Sequence, residues 1–439
     1  VERALSTPQR IYRAHRIGST FTRVYLGIQA QRFIARRLRP PDMDARWRAF
    51  HRSSAHSIYD AAVELRGLIL KGCQFLGTRA DVLPPEMVQV LSGLQDRVPA
   101  RPFPAVRRAV ERELGCALDE VFVSFTPQPL ASASLAQVHE ARLKSGEAVA
   151  VKVQHPGIET LVRSDLANLR FLFRAVGLLE RDFDWMPLIE ELGTQVPREL
   201  DFVQEGRNAE TLARHLAHRD DVVVPRIHWA HSTRRVLVME RMEGIKITDV
   251  EALREAGIDT DRVARILVEA YCEQVFRHGF FHADPHPGNL LVQPGPRLVF
   301  LDFGLAKDLP PGFRRGVVDV AAAVLRGDAE ALGAALVGLG FETRNGRPDG
   351  VHAAARAVLD AAIQLQDRSY LDRDSARQVG RTLAERLRRD PLVRVPSHLV
   401  LIVRVLGLLS GVSHSLGSRV DLVRTLVPWA LAPPETASA

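Results

Sequence analysis

Asp284 is followed five residues later by Asn289, and then by an apolar run that ends in Asp302-Phe303-Gly304. Upstream, Lys152 sits in the middle of a short alternating run, Val149 to Gln154. In this order the residues suit phosphoryl transfer. That chemistry asks little covalent work of a protein: it needs magnesium held against the phosphates, a cation on the phosphate oxygens and an aligned nucleophile. Carboxylate and amide oxygens are hard donors of the kind magnesium takes. Lys152 supplies the cation, Asn289 and Asp302 supply the donors, and Asp284 is the base or water-positioning group.

Each residue alone says little, because an isolated Asp-Phe-Gly also reads as a turn. His282 and His286 flank Asp284 four residues apart, but Pro285 and Pro287 argue against the regular helix that a zinc pair would use. Lys152 needs a counter-charge if the sheet buries it. The segment from Glu199 to Glu205 offers Glu199, Asp201 and Glu205, of which Glu205 is the expected partner. That segment also reads as a solvated acidic helix face. No glycine-rich cradle precedes Lys152. In its place stands Pro129-Leu130-Ala131-Ser132-Ala133-Ser134-Leu135-Ala136-Gln137-Val138-His139. Its small side chains let backbone N–H groups approach a phosphate, with less freedom than glycine gives. The same run reads equally as an alanine-rich helix start.

The elements that must position these groups follow from periodicity. The first hundred residues read as helices. An apolar stripe runs from 55 to 76 through Ile58, Ala62, Leu65, Ile69 and Leu76, with Lys71 and Gln74 on one side. Pro84-Pro85 ends that region, a short helix runs from Glu86 to Leu94, Pro99, Pro102 and Pro104 mark a linker, and a helix follows to Leu114. The period then changes. Residues 121–125, 149–154, 222–224 and 235–239 read as strands, with helices over 158–179 and 186–210 between them. Beyond Asp249 the chain is mostly helical, apart from short strands and turns between Phe280 and Asp302. Helical patterns resume at Phe313 and run to Leu431, and 433–439 reads as a frayed tail. The expected division is 1–115, a helical extension; 116–243, a sheet-containing lobe; and 244–439, a mostly helical lobe.

Composition bounds the setting. The 439 residues suffice for two or three domains, and 46% are apolar, as in a folded globular chain. The net charge of +7 is mostly arginine, including Arg32, Arg36, Arg37 and Arg39, and Arg107, Arg108 and Arg112. This reads as a solvated basic surface or as a face for an anionic membrane. No finger, basic zipper or aromatic-interleaved basic strand points to nucleic acid. Cys73, Cys116 and Cys272 are too few and too scattered for a disulfide framework or a thiolate zinc site, so a reducing, cytoplasmic setting is expected. Arg10, Arg13 and Arg16 interrupt any signal-peptide pattern. The apolar run 399–409 contains Arg404 and is shorter than the ~20 residues of a span. It reads as a buried or amphipathic helix, as does 422–431.

Together these residues resemble the UbiB/AarF atypical kinase-like family, which includes the mitochondrial coenzyme Q-associated kinases. The resemblance runs from about Ala55 to Leu339 and is most specific in the alanine-rich loop and in 149–157. It implies an α+β, protein-kinase-like, two-lobed fold with an N-terminal helical extension packed over the active site. It implies that Glu199 and Asp201 form the Glu-x-Asp element, that Glu205 pairs with Lys152, that Asp284 is the catalytic-loop aspartate, and that Asn289 and Asp302 bind magnesium. It also implies nucleotide contacts from Ala131, Ser132, Ala133, Ser134, Gln137 and Val138, from Ala150 and Lys152, and from Glu240 and Met242 at a hinge for adenine. ATP or ADP with Mg2+ is the implied cofactor. The family's Lys-x-Gly-Gln element matches Lys71 and Gln74, but Cys73 stands where glycine is expected. That cysteine shifts the helix, exposes a thiol to oxidation, or is accommodated. Lys71 is expected to pair with Glu199 or Asp201. No Ala-Pro-Glu-terminated activation segment follows Asp302, which disfavours a protein substrate. The implied activity is an atypical kinase or ATPase connected to isoprenoid-lipid or quinone metabolism, with a nucleotide-binding regulator as the alternative. A lipid or isoprenoid small molecule and a peripheral contact on the inner face of the cytoplasmic membrane are the further partners expected.

Overall fold

Valines at alternate positions fix the first sheet. In the computed structural model, which describes residues 6–38, 40–77, 83–94, 100–177, 186–309, 311–343, 348–365, 392–394, 397–418, 420, 424–425 and 428–429, strand β3 (Ala148–Gln154) buries Val149, Val151 and Val153. They pack with Val106 and Val110 of helix α5 (Phe103–Leu114), Phe122 of β1 (Phe122–Ser132), Ala141 and Leu143 of β2 (Ala136–Leu143), and Val236 and Val238 of β5 (Val236–Glu240). Burying each such side chain is worth roughly 1.5–3 kcal/mol. The sheet order is β1-β2-β3-β5, antiparallel throughout. Strict alternation therefore puts Ala150, Lys152 and Gln154 on the opposite face.

Strand β1 is longer than its sequence suggests. Pro127 and Pro129 hide it, yet it lies at the sheet edge with register shifts at Phe125/Pro129 and Pro129/Ala131, where missing N–H groups are tolerated. The alanine-rich segment is consequently neither a free loop nor a helix start. Ala131 and Ser132 pair with Val138 and Gln137, and the Ala133 N–H donates to the Ala136 carbonyl at 2.8 Å to close a hairpin.

The chain divides into two compact units, the first made of Val1–Gly206 with Arg226–Arg241 and the second of Arg207–Pro225 with Met242–Ala439. Besides the sheet, the first holds α1 (Thr7–Arg37), α2 (Met43–Leu65), α3 (Gly67–Gly77), α4 (Pro85–Leu91), the short α6 (Leu118–Val121), α7 (Ile158–Gly177), α8 (Met186–Glu199) and the start of α9 (Phe202–His215). The expected single helix over 55–76 is broken between α2 and α3. Arg66 has φ +58° and Gly67 φ +55°, and a Cβ at Gly67 would lie 2.3 Å from Leu161 Cδ2. Close packing on α7 thus demands the glycine, and Arg13 donates to the Leu65 carbonyl at the break. The helix expected over 186–210 is likewise split at Leu200-Asp201.

In the second unit β4 (Val222–Val223), β9 (Arg297–Phe300), β8 (Leu290–Gln293) and β6 (Ile245–Lys246) form a sheet in that order, and β7 (Phe280–His282) pairs with β10 (Ala306–Asp308). Around them lie α10 (Val250–Glu255), α11 (Thr260–Cys272), α12 (Pro311–Arg326), α13 (Ala329–Gly338), α14 (Pro348–Leu365) and α15 (Ser397–Ser415). Helix α15 contains the apolar run around Arg404. No helix among the described residues is long and apolar enough to cross a membrane. Arg39, Pro99, Pro310, the family-like 78–82, most of 422–431 and the tail 433–439 lie outside the described residues.

Candidate functional site

In the first unit, Lys152 on β3 and Glu205 in the first turn of α9 form an ion pair, Nζ to Oε1, at 2.6 Å. The lysine side chain is 13% exposed and the glutamate 3%. Lys152 Nζ also stands 5.3 Å from the centre of the Phe202 ring. Asp201 explains why Glu205 is so placed. Its Oδ1 accepts from the Val203 N–H at 3.1 Å, and its carbonyl accepts from the Glu205 N–H at 3.2 Å. It therefore caps α9 and starts the turn that carries the glutamate. A carboxylate in that turn is further favoured by the positive end of the helix.

Lys71 on α3 pairs with Glu199 at the end of α8, Nζ to Oε2, at 2.6 Å. Gln74 donates to the Leu94 carbonyl at 2.9 Å, so its amide ties α3 to the turn after α4. Cys73 is accommodated: it is buried among Ala62, Leu70, Leu91 and Leu94. Burial pushes its thiol up to about 12, which removes the thiolate that oxidation requires.

The hairpin is anchored to the end of β3. The His155 N–H donates to the Leu135 carbonyl at 2.9 Å, and His155 Nε2 bonds the Ala133 carbonyl at 3.0 Å. Ala131 and Ala133 are exposed, Ser132 and Val138 half-buried, and Ser134 buried. Gln137 is buried too. Its Oε1 accepts from the Arg101 N–H at 2.8 Å, and its amide contacts His139 Nε2 at 2.8 Å. Ala150 is half-buried beside Met239 of β5. Glu240 is exposed at the end of that strand and accepts from the Arg226 N–H at 3.2 Å.

The second unit carries Met242, which is buried, and the acidic groups. Asn289 ends a 3-10 turn (Pro287–Asn289) that leads into β8. Its carbonyl accepts from the Leu301 N–H at 3.0 Å, so the β8–β9 ladder brings Asn289 beside the residue that precedes Asp302. Asp302 Oδ1 accepts from the Gly304 N–H at 2.9 Å. Asn208 of α9 fixes the same turn by donating to the Phe303 carbonyl at 2.9 Å, while the Phe303 ring is buried. An amide oxygen and a carboxylate at the ends of neighbouring strands are suitable donors for magnesium.

Asp284 is one-third exposed, and its Oδ1 accepts from Arg404 Nη2 of α15 at 3.0 Å. The histidines beside it do not form a zinc pair. His282 Nε2 donates to the Asp302 carbonyl, and its Nδ1 therefore accepts from the Tyr271 hydroxyl at 2.9 Å. Burial lowers the His282 pKa against that carbonyl bond and the charges of Asp284 and Asp302, in keeping with a neutral ring. Burial, followed by the Asp284 charge, raises Tyr271 well above its usual value. His286 Nδ1 accepts from the Gly288 N–H at 3.1 Å. No cluster of three or more His, Cys, Asp or Glu able to hold a metal occurs among the described residues.

Sequence reasoning treated Arg404 only as a charge interrupting an apolar run. Its pairing with Asp284, 120 residues away, had no local signal. The Tyr271–His282–Asp302 chain and the Asn208 bond were likewise invisible in the sequence.

A family profile described as the ABC1 atypical kinase-like domain matches residues 93–336. The chain belongs to this atypical kinase-like family. It is 36% identical over 380 residues to AarF domain-containing protein kinase 1 of Xenopus tropicalis, covering 84% of this chain and 71% of that protein. It is 34% identical over 391 residues to the chloroplastic ACTIVITY OF BC1 COMPLEX KINASE 8 of Arabidopsis thaliana, with 82% and 51% covered. An uncharacterized protein of Synechocystis, sll1770, is 35% identical over 386 residues, with 87% and 65% covered. The chain thus spans between half and about seven-tenths of the length of these relatives. A solved structure, the Rv3197–erythromycin complex from Mycobacterium tuberculosis, superposes with a TM-score of 0.62 at 24% identity, covering 87% of this chain and 97% of that one. That likeness carries the fold. The mixed helix-and-sheet, kinase-like ABC1 architecture is therefore the architecture of this chain, and several relatives are named as kinases.

Proposed function

We propose that this ABC1-family chain binds a magnesium adenine nucleotide, ATP or ADP, and acts as an atypical kinase or ATPase. The observation that carries the reading is the 2.6 Å Lys152–Glu205 pair, a nearly buried ammonium held in place on a sheet face. Asn289 and Asp302 would hold magnesium, which when bound neutralises charge on the phosphate oxygens. In the first unit Lys152 would offer a fixed cation to phosphate oxygens and Glu240 a contact for the base; in the second Asp284 would accept the proton of an attacking group or position water, and Met242 would contact the base. The Lys71–Glu199 pair ties the helical extension to the segment that leads into α9.

After Asp302 the chain passes through β10 and enters α12 at Pro311, which leaves no room for a long activation segment. This supports a small-molecule or lipid-linked acceptor over a protein, and the family resemblance suggests isoprenoid-lipid or quinone metabolism. Helix α1 exposes Ile11, Leu26 and Phe33 together with Arg32, Arg36 and Arg37, a surface suited to peripheral contact with an anionic membrane. A second reading, a nucleotide-binding regulator without turnover, is favoured by one observation: Arg404 already occupies an oxygen of Asp284.

Magnesium-dependent ADP release by wild type and Asp284→Asn, with and without anionic lipid or quinone-like compounds, separates the readings. Turnover lost in the variant supports catalysis. Nucleotide binding without turnover under every condition supports the regulator, and absence of nucleotide binding removes both.

A further inference from the structure

Residues 186–210 have the pattern of one helix, yet the chain breaks at Leu200-Asp201, and Glu205 meets Lys152 from the turn that follows the break. An uninterrupted helix would send the Phe202 N–H to the Arg198 carbonyl and the Gln204 N–H to the Leu200 carbonyl. Both links are diverted. The Phe202 N–H donates to the Arg234 carbonyl at 3.1 Å, and the Gln204 N–H donates to the Asp201 carbonyl at 3.1 Å. The Leu200 carbonyl accepts instead from the side chain of Gln154, Nε2 to O, at 2.5 Å.

Gln154 is the last residue of β3, two positions after Lys152 and on the same face of the sheet. Its Nε2 donates a second bond, to the Arg234 carbonyl, at 3.0 Å. One buried amide thus holds the carbonyl that α8 would otherwise use to continue and the carbonyl that takes the Phe202 N–H. Both partners only accept, so the amide has to present Nε2 to them. The Gln154 backbone is fixed as well, because its N–H donates to the Arg235 carbonyl at 3.0 Å. Asp201 closes the arrangement from the other side: its carbonyl accepts from the Glu205 N–H at 3.2 Å, and its carboxylate lies 3.9 Å from Arg234 Nε.

We propose that Gln154 is a positioning residue for the Lys152–Glu205 pair. By capturing the Leu200 carbonyl it ends the helix there and sets the turn from which Glu205 reaches the lysine. The claim concerns the chain's own geometry. It rests on the proposed nucleotide reading only for its consequence, that a displaced Glu205 leaves the Lys152 ammonium poorly held for a phosphate.

The chain has five lysines, Lys71, Lys144, Lys152, Lys246 and Lys307, so the Lys152 side chain can be followed by NMR after labelling with lysine carrying carbon-13 at Cε, its signal assigned with Lys152→Arg. A carboxylate against an ammonium favours the charged form, and withdrawing it from a largely buried lysine lowers the pKa. In Gln154→Met, which removes the amide donor and keeps the length of the side chain, the Lys152 titration midpoint should fall by about one pH unit or more. Gln154→Asn is one methylene shorter, does not span both carbonyls and should shift the midpoint the same way, which keeps the test open if the methionine variant fails to fold. Val153→Ala loosens the same strand from its apolar face and should leave the midpoint within about 0.3 pH unit of wild type. A midpoint within about 0.3 pH unit of wild type in the folded Gln154 variants, or an equal shift in Val153→Ala, overturns the proposal. Mg-ADP affinity on the same samples keeps the two claims apart. A shifted midpoint with affinity lowered about tenfold supports both. A shifted midpoint in a chain whose wild type binds no Mg-ADP keeps the role of Gln154 and removes the nucleotide reading.

Discussion

Glu205→Ala leaves the Lys152 ammonium in a pocket where its side chain is 13% exposed, beside the Phe202 ring and without the carboxylate of the 2.6 Å pair. Breaking a buried pair from one side typically costs 3–5 kcal/mol. The lysine can escape by losing its proton, but at pH 7 that costs about 4–5 kcal/mol from its ordinary pKa, which sets a ceiling. Residual hydration of the ammonium favours the lower end, so about 3 kcal/mol is expected. A chain of two compact units has no single unfolding free energy, so the readout must be local. Amide hydrogen exchange of β3 serves, because each ~1.4 kcal/mol changes the opening equilibrium tenfold. Exchange of the Val151 and Val153 amides should rise about 100-fold in Glu205→Ala. The double change Lys152→Met with Glu205→Leu should return to within about tenfold of wild type, since replacing both ions with apolar groups is nearly neutral. An increase below about threefold in the single variant would refute the claim that the pair is desolvated and interdependent.

The Arg404–Asp284 pair is partly exposed on both sides, so Arg404→Ala should change stability by less than about 1 kcal/mol. The same change frees the Asp284 oxygen that Arg404 occupies and should raise turnover about tenfold; amide exchange in α15 and steady-state ADP release check the two effects. His155 is held near 4 in the folded chain against an ordinary value of 6.5. The folded state therefore binds fewer protons: the stability from this group is complete above pH 6.5 and falls as pH drops towards 4, by up to about 3 kcal/mol. The acid slope of β3 exchange should flatten in His155→Phe, and an unchanged slope assigns it elsewhere. Cys73 and Cys272, both raised to about 12 by burial, should resist iodoacetamide at pH 8 while the half-buried Cys116 reacts. Cys73→Gly, which restores the family's residue, should cost about 2 kcal/mol from helix propensity and lost burial, read by exchange in α3.

The groups with strong local or alternating signals were legible without coordinates. Val149, Val151 and Val153 had to face one way, so Lys152 had to face the other, and the acidic segment between Glu199 and Glu205 was the expected source of its counter-charge. Asn289 before two leucines and Asp302 after an apolar run announced the ends of neighbouring strands. The N-cap role of Asp201 was not legible: 186–210 reads as one helix, and the break at Leu200-Asp201 that puts Glu205 in the next turn appears only in the structure.

What the sequence concealed depended on partners brought together from a distance or on local signals that compete. Prolines at 127 and 129 argued against a strand, and only an edge position with register shifts made them harmless. A continuous apolar stripe argued for one helix through Arg66, and only the press of Leu161 against Gly67 shows why the chain breaks there. Arg404 reached Asp284, Tyr271 reached His282, and Arg101 reached the alanine-rich hairpin through packing of whole elements, for which no spacing rule exists. Periodicity and residue chemistry set the inventory of the site, because they act over a few residues. Which charges are neutralised and which are left over was decided in three dimensions, because electrostatics depends on distance in space and not on separation along the chain.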